Sequence, residues 1–144
     1  MKNYIKKISY LLLSFTFILG SCEVEESLTL TSPDAAFVLD TPGISSVFLN
    51  FAIPNNPAFT ISWRDEIKSG ADYTVEMSTD AEFTNSSTIG TTAKNNFSMT
   101  VAAFNNAINE TGITNFSDIA VYMRVKSGSS FTNTIFLLVT TYPV

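Results

Sequence analysis

The stretch Ile119-Ala120-Val121-Tyr122-Met123-Arg124-Val125-Lys126 places a bulky apolar residue at every second position. Successive side chains of a strand point to opposite faces, so one face of this segment seeks a core and the other meets water. The period recurs along the chain. Phe59, Ile61 and Trp63 alternate with Thr60, Ser62 and Arg64, and Tyr73, Val75 and Met77 with Thr74, Glu76 and Ser78. Phe97, Met99 and Val101 alternate with Ser98 and Thr100, and Ile135, Leu137 and Val139 form one face of a final strand. Val47, Leu49, Phe51 and Ile53 make a further candidate ahead of Pro54. Such alternation marks half-buried antiparallel strands.

Turn residues separate these runs: Asp40-Thr41-Pro42-Gly43, Pro54-Asn55-Asn56-Pro57, Lys68-Ser69-Gly70 and Ser127-Gly128-Ser129-Ser130. About seven short strands with turns between them predict an all-β, antiparallel β-sandwich. One segment departs from the period. From Val101 to Glu110, Phe104 and Ile108 stand at i, i+4 spacing, and Gly112 sits where a helix stops. A short helix there caps one end of the sandwich and crosses between its sheets. Leu28 and Leu30, then Phe37 and Leu39, read as a first strand split around Pro33.

The N-terminus is of a different kind. Lys2, Lys6 and Lys7 precede or open an apolar run from Ile8 to Leu19, which ends at Gly20-Ser21-Cys22. As a helix that run reaches about 18 Å, short of the ~30 Å hydrocarbon core of a bilayer. A basic start, a short apolar middle and small residues at the cut describe a secretory signal. The only cysteine of the chain, Cys22, stands just after those small residues. The layout resembles a bacterial lipoprotein signal peptide, which implies that Cys22 carries acyl chains and becomes the first mature residue. Glu23, Glu25 and Glu26 follow it. They read either as a solvated linker or, by resemblance, as the tag that sends some lipoproteins to the exterior face of the outer membrane. The expected organisation is a signal over residues 1–21, a lipidated tether over 22–31 and a sandwich domain over 32–144.

Removing the signal lowers the basic residues from eight to five, against thirteen acidic ones. That balance excludes a phosphate-backbone binder. Cys22 has no partner for a disulfide, and the absence of histidine removes the commonest general base and metal ligand. No nucleophile–base arrangement, phosphate-binding loop or zinc pattern is present. The sequence therefore predicts no enzyme, no cofactor and no metal.

Taken in order, five features resemble the N-terminal domain of SusE-type outer-membrane lipoproteins, of immunoglobulin or fibronectin-III-like fold. They are Cys22 with its acidic tail; Phe59-Thr60-Ile61-Ser62-Trp63; Tyr73 to Asp80 followed by Phe83; Val101, Phe104, Asn105, Ile108 and Gly112 followed by Val121 to Ser127; and Thr132 to Thr140. The resemblance implies a surface-exposed accessory of a polysaccharide-uptake system, anchored in the outer membrane through Cys22. It would stand beside a TonB-dependent transporter and that transporter's glycan-binding lipoprotein. Members of the family usually continue into further domains that carry the sugar sites, so this chain corresponds to the membrane-proximal module and no binding residue is transferred. The competing expectation is a structural or adhesive surface lipoprotein whose sandwich is a spacer without a glycan role.

Of the aromatic residues that could stack on a sugar, Trp63 shares its strand face with Phe59 and Ile61 and is expected in the core. Tyr122 is expected on the outward face, with Tyr73, Phe97 and Phe131 near strand ends. Asp65-Glu66 reads as a solvated turn rather than an acid–base pair, since catalysis needs carboxyls placed across a cleft. Asp80 and Glu82 offer oxygen atoms to calcium but lack the density of alternating ligands that such a loop needs.

Overall fold

The computed structural model describes residues 36–68, 72–113 and 116–144. Cys22, Glu23, Glu25 and Glu26, the Leu28 and Leu30 half of the first strand, and Ser69 and Gly70 of the third turn lie outside the described residues. The chain divides into two units, Met1–Ser32 and Pro33–Val144, and the second is described here.

The alternating segments become strands with the expected faces inward. Nine strands and one helix form among the described residues: β1 (Phe37–Leu39), β2 (Ser46–Phe48), β3 (Pro57–Asp65), β4 (Tyr73–Ser78), β5 (Ser87–Thr92), β6 (Asn96–Thr100), α1 (Val101–Asn109), β7 (Asp118–Ser127), β8 (Ser130–Phe131) and β9 (Ile135–Thr140). The smaller sheet has the order β1-β3-β6; the larger runs β2-β9-β7-β4-β5, with β8 also paired to β7. This is the strand arrangement of an immunoglobulin-like sandwich. Phe59, Ile61 and Trp63 from the smaller sheet meet Val75, Met77, Val121, Met123, Val125, Leu137 and Val139 from the larger in one core. Each such side chain taken from water contributes about 1.5–3 kcal/mol.

The helix forms where Phe104 and Ile108 require it, and both are fully buried. Thr100 starts it by accepting a hydrogen bond from the Ala103 N–H at 3.3 Å. Val101 is thereby taken out of the strand alternation and becomes the first helical residue. Gly112 follows the helix at φ +78°, a conformation that favours glycine. Because β6 belongs to the smaller sheet and β7 to the larger, α1 carries the chain between them.

Two expectations are corrected. The run Val47 to Ile53 is not one strand: pairing ends at Phe48. The Asn50 Oδ1 accepts from the Ala52 N–H at 2.9 Å, the Ile53 N–H donates to Asn50 O, and the Asn56 N–H donates to Ile53 O. This local turn chemistry outcompetes the ladder and leaves Phe51 74% exposed. The sandwich is also not wholly antiparallel, because β2 pairs with β9 in parallel, with Val47 opposite Val139. A chain that leaves β1 at the edge of the smaller sheet and crosses a short loop joins the neighbouring edge of the larger sheet, beside β9, in the direction it already travels.

Candidate functional site on the outer face of the larger sheet

The register of the larger sheet decides which side chains share its solvent face. Ala120 stands opposite Leu138 and Tyr122 opposite Phe136. Arg124 stands opposite Glu76, and Lys126 opposite Phe131. Tyr122 therefore lies outward as expected, half-buried, its ring 5.6 Å from that of Phe136. Phe136, Leu138 and Phe131 are all exposed on this face, Phe136 by 43%.

Beside the aromatic pair, Arg124 is held on three sides. Its Nε donates to Glu76 Oε2 at 2.8 Å, while the guanidinium lies 4.1 Å from the ring centre of Phe83 and 4.2 Å from that of Phe131. Lys126 reaches the same Phe131 ring at 5.6 Å. A planar, weakly hydrated guanidinium suits such stacking better than an ammonium does. Phe83 is delivered to this contact by a backbone at φ +55°, an uncommon conformation for a bulky residue.

A groove of about 420 Å³ opens at one edge of the face, with Thr41, Pro42, Ile44, Ser45, Thr134 and Phe136 among its walls. Its lining carries hydroxyls and apolar surface but no ionisable side chain. The groove can thus make neutral, partly apolar contacts. It assembles no acid–base pair.

The remaining sequence candidates lie elsewhere. Trp63 is 2% exposed, packed edge-on against Tyr73 at 5.2 Å, and is core. Tyr73 is buried on the inward face with Val75 and Met77, and its hydroxyl donates to Asp65 Oδ2 at 3.2 Å. Burial, and then the Asp65 carboxylate, raise that hydroxyl above its usual pKa. Phe97 is half-buried, its ring 6.3 Å from that of Phe59.

Asp65 is buried rather than solvated. Its Oδ1 accepts from the N–H groups of Ile67 and Lys68 at 3.0 and 2.8 Å, so it closes the end of β3. The parity of the strand already carried this signal, since Asp65 falls on the same face as Phe59, Ile61 and Trp63. Glu66 turns instead to the Ala36 N–H at 3.2 Å. Asp80 spends its carboxylate on its own loop, accepting from the Thr84 N–H at 3.0 Å and the Ser78 hydroxyl at 3.0 Å. The Thr84 bond above all holds it below the usual carboxylate range. Glu82 is exposed. Among the described residues no group of three acidic, His or Cys side chains could hold a metal, and no helix is long and apolar enough to cross a membrane.

Two asparagines escaped the sequence reading. The Asn105 carboxamide pairs with both backbone groups of Tyr142 at 2.9 Å, and that of Asn133 pairs with both backbone groups of Leu39 at 2.8 and 3.1 Å. Only their position in sequence, flanked by strand or helix residues and without a turn partner, hinted at such use.

These features define an immunoglobulin-like sandwich with an aromatic outer face. The family model described as SusE outer membrane protein matches residues 24–126, and the chain belongs to that family. Its match begins two residues after Cys22 and ends within β7. No curated protein matches the chain. Among solved structures, domains A168–A170 of titin are similar over 71% of this chain, at 11% identity and a TM-score of 0.32. The match covers 32% of that titin chain.

Proposed function

We propose that this chain is a lipid-anchored outer-membrane protein that faces the cell exterior and serves a polysaccharide-uptake system as a non-catalytic docking module. The observation that carries this reading is the family match, which starts beside Cys22 and continues into β7 of the sandwich. Cys22 carries the acyl chains in this reading, and Glu23, Glu25 and Glu26 act as the surface-export tag. Two or more acyl chains make the attachment lasting, where a single chain binds only marginally. The short distance in sequence between Cys22 and β1 makes the sandwich membrane-proximal. Its partners are a TonB-dependent transporter and that transporter's glycan-binding lipoprotein. The half-buried Tyr122 and the exposed Phe136 and Leu138 support a contact role, since they give the sheet face an apolar patch beside the Arg124–Glu76 pair.

Cells expressing wild type and Cys22→Ser, fed a clickable palmitate analogue, test the anchor. Wild type is expected to be labelled and membrane-bound, the variant unlabelled and released; an acylated variant overturns the assignment. Protease shaving of intact cells tests orientation, with loss of the wild-type protein expected. Affinity electrophoresis against a glycan panel separates docking from capture. Retardation by the sandwich itself is expected to be weak or absent, and micromolar binding would move the function from docking to glycan capture.

A further inference from the structure

β1 is the first strand among the described residues, and it is both short and at a sheet edge. On its inner side it pairs with β3, Val38 opposite Arg64 and Leu39 opposite Trp63. The Asp40 N–H extends that ladder by donating to Ser62 O at 2.9 Å. The N–H and C=O of Leu39 face the other way, where a further strand would lie.

Asn133 fills that place. Its Oδ1 accepts from the Leu39 N–H at 2.8 Å and its Nδ2 donates to Leu39 O at 3.1 Å. A carboxamide presents one acceptor beside a donor group, as a peptide does, so this side chain stands in for a strand. Asn133 is itself tied to the larger sheet. The Thr132 hydroxyl donates to Asn133 O at 2.8 Å and accepts from the Val125 N–H at 2.9 Å, while the Thr132 N–H donates to Val125 O. A run of hydrogen bonds thus joins the entry strand of the smaller sheet to β7, a central strand of the larger.

We propose that Asn133 is a mechanical latch for β1. The proposal rests on the reading of Cys22 as the anchor, because a tether fixed there delivers any pull on the protein to β1 first. Without the latch, the short ladder to β3 and the burial of Phe37 and Leu39 are what hold β1. With it, the pull is shared with β7. The latch also covers backbone groups that an open edge would offer to another chain.

The test uses the chain from Cys22 onward, unacylated, so that its single thiol serves as a pulling handle at the natural point of attachment. A second handle follows Val144. In wild type, Asn133→Ala and Asn133→Asp, the force that detaches β1 and the hydrogen exchange of individual amides are measured. Removing two hydrogen bonds of ordinary net strength should speed exchange at Leu39 about tenfold and lower the detachment force. Exchange at Val121 and Leu137 should hold. Asn133→Asp should shift both readouts in the same direction, since it sets an oxygen against Leu39 O. Unchanged force and unchanged Leu39 protection would overturn the latch, as would an equal loss of protection on every strand. The handle is a thiol, so a failure of acylation in cells leaves this experiment intact.

Discussion

The ring of Phe97, on β6 of the smaller sheet, occupies the space that a β-carbon on Gly90 of β5 would fill, with Cε2 and Cζ in direct overlap. The register of β4 against β5 also slips just there, after Val75 pairs with Gly90. A bare backbone at this point lets the two sheets close along one margin. Gly90→Ala is expected to destabilise the fold by about 1–3 kcal/mol, the usual range for forcing an extra group into a packed site. Chemical denaturation of Gly90→Ala, Phe97→Ala and the double variant checks it: the double should cost less than the sum of the singles.

Arg124 should matter through its stacking as much as its charge. Arg124→Ala removes contacts to Phe83, Phe131 and Glu76 together and is expected to cost about 2 kcal/mol, from cation–π contacts of about 0.5–2 kcal/mol each and a partly exposed ion pair. Arg124→Lys keeps the charge but loses the planar group, and should recover less than half of that loss. Thermal melts in low and high salt separate the two contributions, because salt weakens only the ionic part.

The Asp80 carboxylate ties a pH dependence to its loop. Its folded pKa lies below the ordinary value of 3.8, chiefly because the Thr84 N–H binds the charged form. The stability it contributes is therefore present above the unfolded pKa and fades as the pH falls through the folded one. Asp80→Asn is expected to melt below wild type at pH 7, with the gap narrowing as the pH falls below the ordinary carboxylate value of 3.8. A constant gap across that range would show that the carboxylate's charge is irrelevant.

Trp63→Ala should cost about 3–5 kcal/mol, as truncation of a buried aromatic does. The indole Nε1 has no hydrogen-bond partner among the described residues, so Trp63→Phe removes an unsatisfied donor along with some volume and should cost much less. Denaturation midpoints of the two variants check this order.

How much of this was legible follows from the distance over which each feature is written. The inward faces of β3, β4, β7 and β9 are set by neighbouring residues, and alternation revealed them. Phe104 and Ile108 likewise revealed the helix. Asp65 was legible in principle, since its parity puts it with Trp63, but its charge and its neighbour Glu66 suggested water. The extent of β2 turned on whether Asn50 would bond its own backbone, which propensity does not decide. Asn133 and Leu39, or Arg124 and Glu76, are brought together only by the finished fold, and no local pattern marks them. The outer face stands between these cases: Tyr122 was placed by alternation, while its pairing with Phe136 needed the register.

The parallel seam between β2 and β9 has a consequence for the order in which the molecule is made. Among the described strands, β2 pairs with β9, about ninety residues later in the chain, and pairings of such long range form slowly. Until β9 exists, β7 lacks a neighbour and Val121 and Met123 lack Leu137 and Val139 to pack against. Among the described strands, the larger sheet therefore closes only when β9 takes its place between β2 and β7.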